Sequence, residues 1–207
     1  MANMKSFMYA AVVALVVCAA NESWGQKVNL ESGDVAVLAG QKTVNIEYDY
    51  SSFGVGKFAT EQEYLEKKAA EYNAKEPGKG DSWKKAWAED RKSRYEPKFE
   101  ELLNKGLEGT GLNAVHGRPD ALYTFVVHTK FVEPGFNVGV MRKNATVDFE
   151  IDLVESASKS KNIAKISMAK VPGGQFGGYD FDTGVRIAES YAKAGKSLAA
   201  FLDKKLK

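Results

Sequence analysis

Cysteine, histidine and proline are all scarce in this chain of 207 residues: one, two and five respectively. The single cysteine, Cys18, sits in the longest apolar run, so a chain processed beyond it has no thiol at all. That excludes disulfides, thiolate nucleophiles and cysteine-ligated metals. The two histidines, His116 and His128, come without the three or four converging ligands a zinc site needs, so a structural or solvated role is expected for each. Neither charge sign dominates, with 29 basic and 27 acidic side chains. Interspersed charge of this kind provides solubility but no electrostatic footprint for nucleic acid. Also lacking are fixed-period repeats, a Gly-x-Ser-x-Gly elbow, a His-Glu-x-x-His pair and a calcium loop. No enzyme class, cofactor or metal is therefore indicated.

What is present begins at the N-terminus. Lys5 precedes Phe7–Ala20, an unbroken apolar run after which hydrophobicity stops at Asn21. The run is shorter than the ~20 residues a membrane-spanning helix needs. It has the length of the apolar region of a secretory signal peptide behind a basic start. Ser23-Trp24-Gly25 offers small residues at both positions a signal peptidase reads, so residues 1–25 are expected to be a signal peptide. The alternative is lipidation of Cys18 after Leu15-Val16-Val17, against which stands the bulk of Val17 next to that cysteine. The expectation is an exported protein, periplasmic or outer-membrane associated, that touches the membrane only if Cys18 is lipidated.

Residues 26–207 are long enough for a single domain with a sizeable core. Val35–Leu38 and Thr43–Tyr50 read as strands, the second with Val44, Ile46, Tyr48 and Tyr50 on one face and Asn45, Glu47 and Asp49 on the other. Thr60 and Glu63 have the spacing of a capping box, so a helix should start at Glu61 and end before Pro77. A second helix is expected from about Ser82, carrying Trp83 and Trp87 as a core ridge, interrupted at Pro97 and capped by Gly106. Ala121–Glu133, Ala145–Glu155 and Ile163–Val171 read as long strands, with turns at Pro134-Gly135 and Ser156–Asn162. Gly173–Gly178 ends the sheet, and Thr183–Lys207 reads as a helix burying Ala188, Tyr191, Leu198 and Leu202. The order β-β-α-α-β-β-β-α gives an α+β fold: a mainly antiparallel sheet with helices packed on one face. Its apolar side should hold Tyr123, Phe125, Val127 and Phe131, then Val147, Phe149, Ile151 and Leu153, then Ala164, Ile166 and Met168. With these faces aligned, Asp152 sits opposite Lys165.

Two nucleotide-like motifs fail on context. Gly54-x-Gly56-x-x-Ala59 matches the dinucleotide pattern in letters, but a helix stands where the ribose-binding strand should follow. Gly195-Lys196-Ser197 lies inside a helix and lacks the earlier glycine of a phosphate loop, its place being taken by Ser190. Small residues at Ala188, Ala192 and Gly195 are expected to let the helix approach the sheet closely.

Two other groups carry functional expectations. Asp148, Glu150 and Asp152 alternate on one strand face, about 6.5 Å apart at two-residue spacing, within the range of a two-carboxylate glycosidase. They are the candidate catalytic residues of an envelope glycan hydrolase, the alternative reading; a solvated sheet face is the plainer one. Phe136, Val138, Val140 and Met141 join two long strands at a loop tip. They are expected to be more exposed than Phe125 or Phe149 and to form part of a protein-binding surface. The opposing expectation is that this loop folds back over the sheet edge.

The second half also resembles a group of bacterial envelope proteins. The strand beginning Pro119-Asp120-Ala121-Leu122-Tyr123, the strand Thr146–Val154 with its polar turn, the segment Gly173–Gly178 and the Ala-rich helix with its Lys-rich end carry the similarity. The layout is similar to the periplasmic domain of the curli secretion lipoprotein, to lipoprotein activators of penicillin-binding proteins and to the N-terminal domain of the Tol-Pal translocation protein. The resemblance implies a non-catalytic role that binds or helps assemble envelope protein partners. It brings no catalytic residues. The chain departs from the pattern in the bulky residue before Cys18 and in a longer, tryptophan-rich helical stretch over Tyr64–Leu103.

Overall fold

The computed structural model describes residues 26–174 and 181–207. The expected signal peptide with Cys18, and Gln175–Gly178 of the glycine-rich segment, lie outside them. Strands β1 (Asn29–Gly33), β2 (Thr43–Asp49), β3 (Gly54–Val55), β4 (Asn113–His116), β5 (Tyr123–Glu133), β8 (Ala145–Glu155) and β9 (Ser158–Gly173) form one sheet. Its order is β1-β9-β8-β5-β2-β4, with β3 also on β5, while β6 (Phe136–Asn137) and β7 (Arg142–Lys143) form a separate hairpin. The β1–β9, β9–β8 and β8–β5 pairs are antiparallel, whereas β2 runs parallel to both β5 and β4. The helices are α1 (Glu61–Asn73), α2 (Lys79–Asp90), α3 (Glu96–Leu107) and α4 (Thr183–Leu206). The architecture is α+β, with a mostly antiparallel sheet.

Alternation decides which side of the sheet the helices cover. Val147, Phe149, Ile151 and Leu153 of β8 are buried, while the acids between them stay half-exposed. Val44 and Ile46 of β2, Phe125 and Val127 of β5, and Ala164, Ile166 and Met168 of β9 are buried with them. Against this face lie Phe99 and Leu103 of α3 and Tyr191, Leu198 and Leu202 of α4, all buried. Burying each large apolar side chain contributes roughly 1.5–3 kcal/mol. Asp152 pairs with Lys165 as the pattern requires, a cross-strand contact of about 0.2–1 kcal/mol.

Two bulges alter the expected faces. Pairing of β5 with β8 shifts between Thr129 and Phe131, so Lys130 is an extra residue. The bulge takes Phe131 off the core face, opposite Asp148, and Val132 takes the buried place instead. In β9 the shift falls between Met168 and Val171, with Lys170 at φ +53°. The Asp148 carboxylate accepts from the Lys170 amide at 2.5 Å and holds that unusual backbone.

Other departures have equally local causes. Val35–Leu38 is not a strand: Ala36–Leu38 is a 3-10 turn. Its buried residues, Val35 and Leu38, are three apart, the spacing that a 3-10 turn places on one side. The first strand is instead β1, on the sheet edge, and a short strand, β4, ends at His116. The turn expected over Ser156–Asn162 shrinks to Ser156-Ala157, because β9 starts at Ser158. Helix α2 starts at Lys79, and a π-helical turn, Arg91–Tyr95, joins it to α3 without a break. Pro97 closely follows the π-helical turn, so its missing N–H falls where the regular α-helical ladder is already interrupted. Helix α1 does begin at Glu61, with Thr60 Oγ1 accepting from the Glu63 amide at 3.2 Å. Gly54–Val55 is a strand and Gly56 a turn at φ +58°, which accounts for those glycines without a nucleotide.

Gly106 is not a cap. A Cβ there would lie 2.5 Å from Ala199 of α4. A Cβ on Gly195 would lie 2.2 Å from the Phe99 carbonyl of α3. The small residues of α4 therefore serve close packing against α3, in addition to the sheet contact made at Gly173, where a Cβ would lie 2.0 Å from the Arg186 carbonyl. Gly195→Val should lower stability by about 1–3 kcal/mol through overpacking, read as a drop in Tm. Gly109→Ala, where a Cβ meets open space, should leave Tm almost unchanged.

Candidate functional site

The three alternating acids come together on the open sheet face as expected; Asp148 and Glu150 are hydrogen-bonded, while Asp152 makes longer ion-pair contacts and its buried Oδ1 has no hydrogen bond among the described residues. Asp148 holds the Lys170 bulge. Glu150 accepts from Lys165 Nζ at 2.8 Å. Asp152 lies 3.7 Å from Lys165 Nζ and 3.3 Å from His128 Nε2. On its other side His128 Nδ1 is 2.7 Å from the Asp49 carboxylate. The parallel pairing of β2 with β5 makes this contact by setting Asp49 beside His128. The imidazole lies between two carboxylates, hydrogen-bonded to Asp49 and in contact with Asp152. His128 thus has partners that its own strand does not reveal.

On this face, Glu150 and Asp49 are held toward the ionised form. The hydrogen bond from Lys165 holds Glu150 below its ordinary pKa despite partial burial. For Asp49, burial pushes upward, but hydrogen bonds from Ser51 and His128 outweigh it and leave the carboxyl low. A general acid needs the opposite shift. Pockets of about 550 and 510 Å³ lie elsewhere, and none of Asp148, Glu150 and Asp152 lines them. Among the described residues no group of His, Cys, Asp and Glu could hold a metal ion, and no helix is long and apolar enough to cross a membrane.

The loop tip is a built hairpin. Phe136 pairs with Lys143 and Asn137 with Arg142. The Val138 amide donates to the Met141 carbonyl at 3.0 Å, and Gly139, at φ +82°, makes the turn. Phe136, Val138, Val140 and Met141 are 42%, 60%, 94% and 62% exposed, whereas Phe125 and Phe149 are buried. The tip does not fold back over the sheet edge.

Its base is fixed from below. Gly135 adopts φ +61°, and a Cβ there would lie 2.3 Å from the Lys143 carbonyl. Glu133 accepts from the Gly135 amide at 3.1 Å and from Lys143 Nζ at 2.7 Å. Arg186 of α4 is only 2% exposed and donates to the carbonyls of Pro134 and Gly135 at 3.3 and 3.4 Å and to Thr183 Oγ1 at 2.9 Å. Sequence reading missed this residue, since an arginine within an amphipathic helix reads as a solvated one.

Arg186→Met should cost about 1–3 kcal/mol, because it strands buried carbonyls; chemical denaturation measures it. Acid titration gives a second check. Glu150 has a lowered folded pKa, so its stabilisation is complete above the unfolded value of about 4.3 and is lost as pH falls through the folded value. The Tm gap between the wild type and Glu150→Gln should therefore be largest near neutrality and close as pH falls through the lowered folded value.

No protein-family model and no curated protein matches the chain. Among solved structures, the PelC dodecamer from Paraburkholderia phytofirmans is similar at TM-score 0.39 and 14% identity, over 84% of this chain and 97% of that one. A Xanthomonas campestris protein described by the family model DUF330 gives TM-score 0.33 and 10% identity, over 89% and 92%. Likeness at this level assigns the chain neither a family nor an activity.

Proposed function

We propose that this chain is an exported, non-catalytic cell-envelope protein that binds or helps assemble an envelope protein partner through the β6–β7 hairpin. One observation carries the reading: four apolar side chains are held out in solvent on a hairpin whose base is locked by a buried arginine. Apolar groups exposed together mark contact surfaces, and a preorganised element loses little further freedom on binding. The partner surface that complements the four apolar side chains is an apolar pocket. The signal-like Phe7–Ala20 run and the resemblance of the layout to bacterial envelope domains support a periplasmic or outer-membrane location, with a tie to the membrane only if Cys18 is lipidated. The alternative, glycan hydrolysis by Asp148, Glu150 and Asp152, finds less support, because each of these acids contacts a neighbouring cation or amide.

A photo-crosslinking residue at Val140 in the producing cell should give one discrete protein adduct. The same residue at Lys85, on the exposed side of α2, should not. The purified adduct partner should bind Phe136→Ser/Met141→Ser at least about tenfold more weakly, roughly 1.4 kcal/mol, at unchanged Tm. Lipid adducts alone, equal capture from Lys85, or a loss of stability with unchanged binding would overturn the reading.

A further inference from the structure

A pocket of about 550 Å³ opens on the opposite side of β2 from the acid ladder, where the π-helical turn passes that strand. Tyr48, Tyr50, Arg91, Lys92, Glu96 and His116 line it. Three rings form one side: Tyr48 lies 6.4 Å from Tyr50 at an interplanar angle of 15°, and 6.1 Å from His116 at 28°. The Tyr48 hydroxyl is engaged by α3, within reach of Glu100 Oε1 at 3.1 Å and the Glu96 carbonyl at 3.3 Å. Burial pushes the pKa of both phenols far above the ordinary value, so the rings stay neutral.

The guanidinium of Arg91 stacks over Tyr50, 4.5 Å from the ring centroid. Glu61 pins it there through Nη2, at 2.5 Å to each carboxylate oxygen, and also accepts from Trp87 Nε1. Arg91 Nη1 and Nε take no partner among the described residues, and Lys92 and His116 add further basic groups against the single lining carboxylate of Glu96. Wide π-helical turns occur often at functional sites, and this one supplies both Arg91 and Lys92.

We propose that this pocket binds an acidic sugar residue, a hexuronate unit within a glycan. Ring faces suit the C–H face of a pyranose, Glu96 accepts from hydroxyls, and Arg91, Lys92 and His116 meet the carboxylate. A free inorganic anion would leave the rings unused. A hydrocarbon would leave Lys92 and the free N–H groups of Arg91 without an acceptor in an open, polar rim, unlike the enclosed apolar pockets such ligands occupy.

Calorimetric titration of the folded chain with tetragalacturonate, maltotetraose and AMP tests this. Tetragalacturonate should bind at least about tenfold more tightly than maltotetraose. Lys92→Gln/His116→Gln should weaken its binding fivefold or more, on the order of 1 kcal/mol, at unchanged Tm, while Lys85→Gln leaves it unaltered. Amide shift changes should centre on β2 and the π-helical turn. Equal affinity for the neutral oligosaccharide, tighter binding of AMP, no binding at about 10 mM ligand, or an equal loss in Lys85→Gln would overturn the proposal.

Discussion

Tyr191 is the point at which the layers of this molecule are tied together. It is fully buried on α4, and a buried phenol requires a hydrogen-bond partner. Thr129 of β5 provides one at 2.5 Å. The ring stacks on Tyr95 of the π-helical turn at 5.1 Å and meets Phe149 of β8 edge-on at 4.8 Å. One side chain therefore touches α4's neighbours in every layer: β5 next to its bulge, β8, and the π-helical turn. Thr129 is the last residue of β5 in regular register, and the extra residue follows at once. Where α3 crosses α4, glycine is the residue that fits at Gly195.

The two sheet faces follow from that arrangement. Helices α3 and α4 absorb the apolar residues of one face, so the other must satisfy its charges within the sheet. It does so in a chain from Asp49 through His128, Asp152 and Lys165 to Glu150, with Lys159 bound to Glu47 beside it. Lateral neutralisation of this kind leaves few charges in want of a ligand. The bulges at Lys130 and Lys170 both flank Asp148, and such irregularities increase local twist. They lie toward the end of the sheet from which the β6–β7 hairpin leaves, so a carboxylate that looks chemical in sequence serves as a backbone cap.

Legibility tracked the range of the interaction. The Thr60 cap, the alternating burial of β8 and the Asp152–Lys165 pairing were readable because each depends on residues close in sequence or on a two-residue period. Trp83 and Trp87 were readable as packing residues, and they cluster with Tyr64 and Tyr72 between α1 and α2. The parallel placement of β2 on β5 was not readable, since no local signal distinguishes a parallel neighbour, and with it went the partners of His128. Bulges were missed for a related reason: one extra residue leaves the alternation intact on each side and merely reverses it. Exposure of the hairpin tip was legible because the sequence spans a strand connection with more apolar residues than a connection needs. The arginine that fixes its base was not, because Arg186 differs from a solvated helix residue only through carbonyls about fifty positions away.

That arginine bears on whether the exposed tip is incidental. A loose apolar loop of this length lowers its free energy by collapsing onto the nearest surface, at about 25 cal/mol per Å² of apolar area removed from water. Here the backbone prevents it. Gly135 permits a left-handed residue at a point with no room for a side chain, Glu133 grips both Gly135 and Lys143, and a desolvated guanidinium occupies the carbonyls of Pro134 and Gly135. Burying a charge is costly unless it is well bonded, and the donors of Arg186 are directed in part at this base. The strand connection itself needs none of these devices, since a short polar turn would join β5 to β8. What they accomplish together is to keep Val140 and Met141 away from the protein's own surface, the condition under which apolar residues remain available to another molecule.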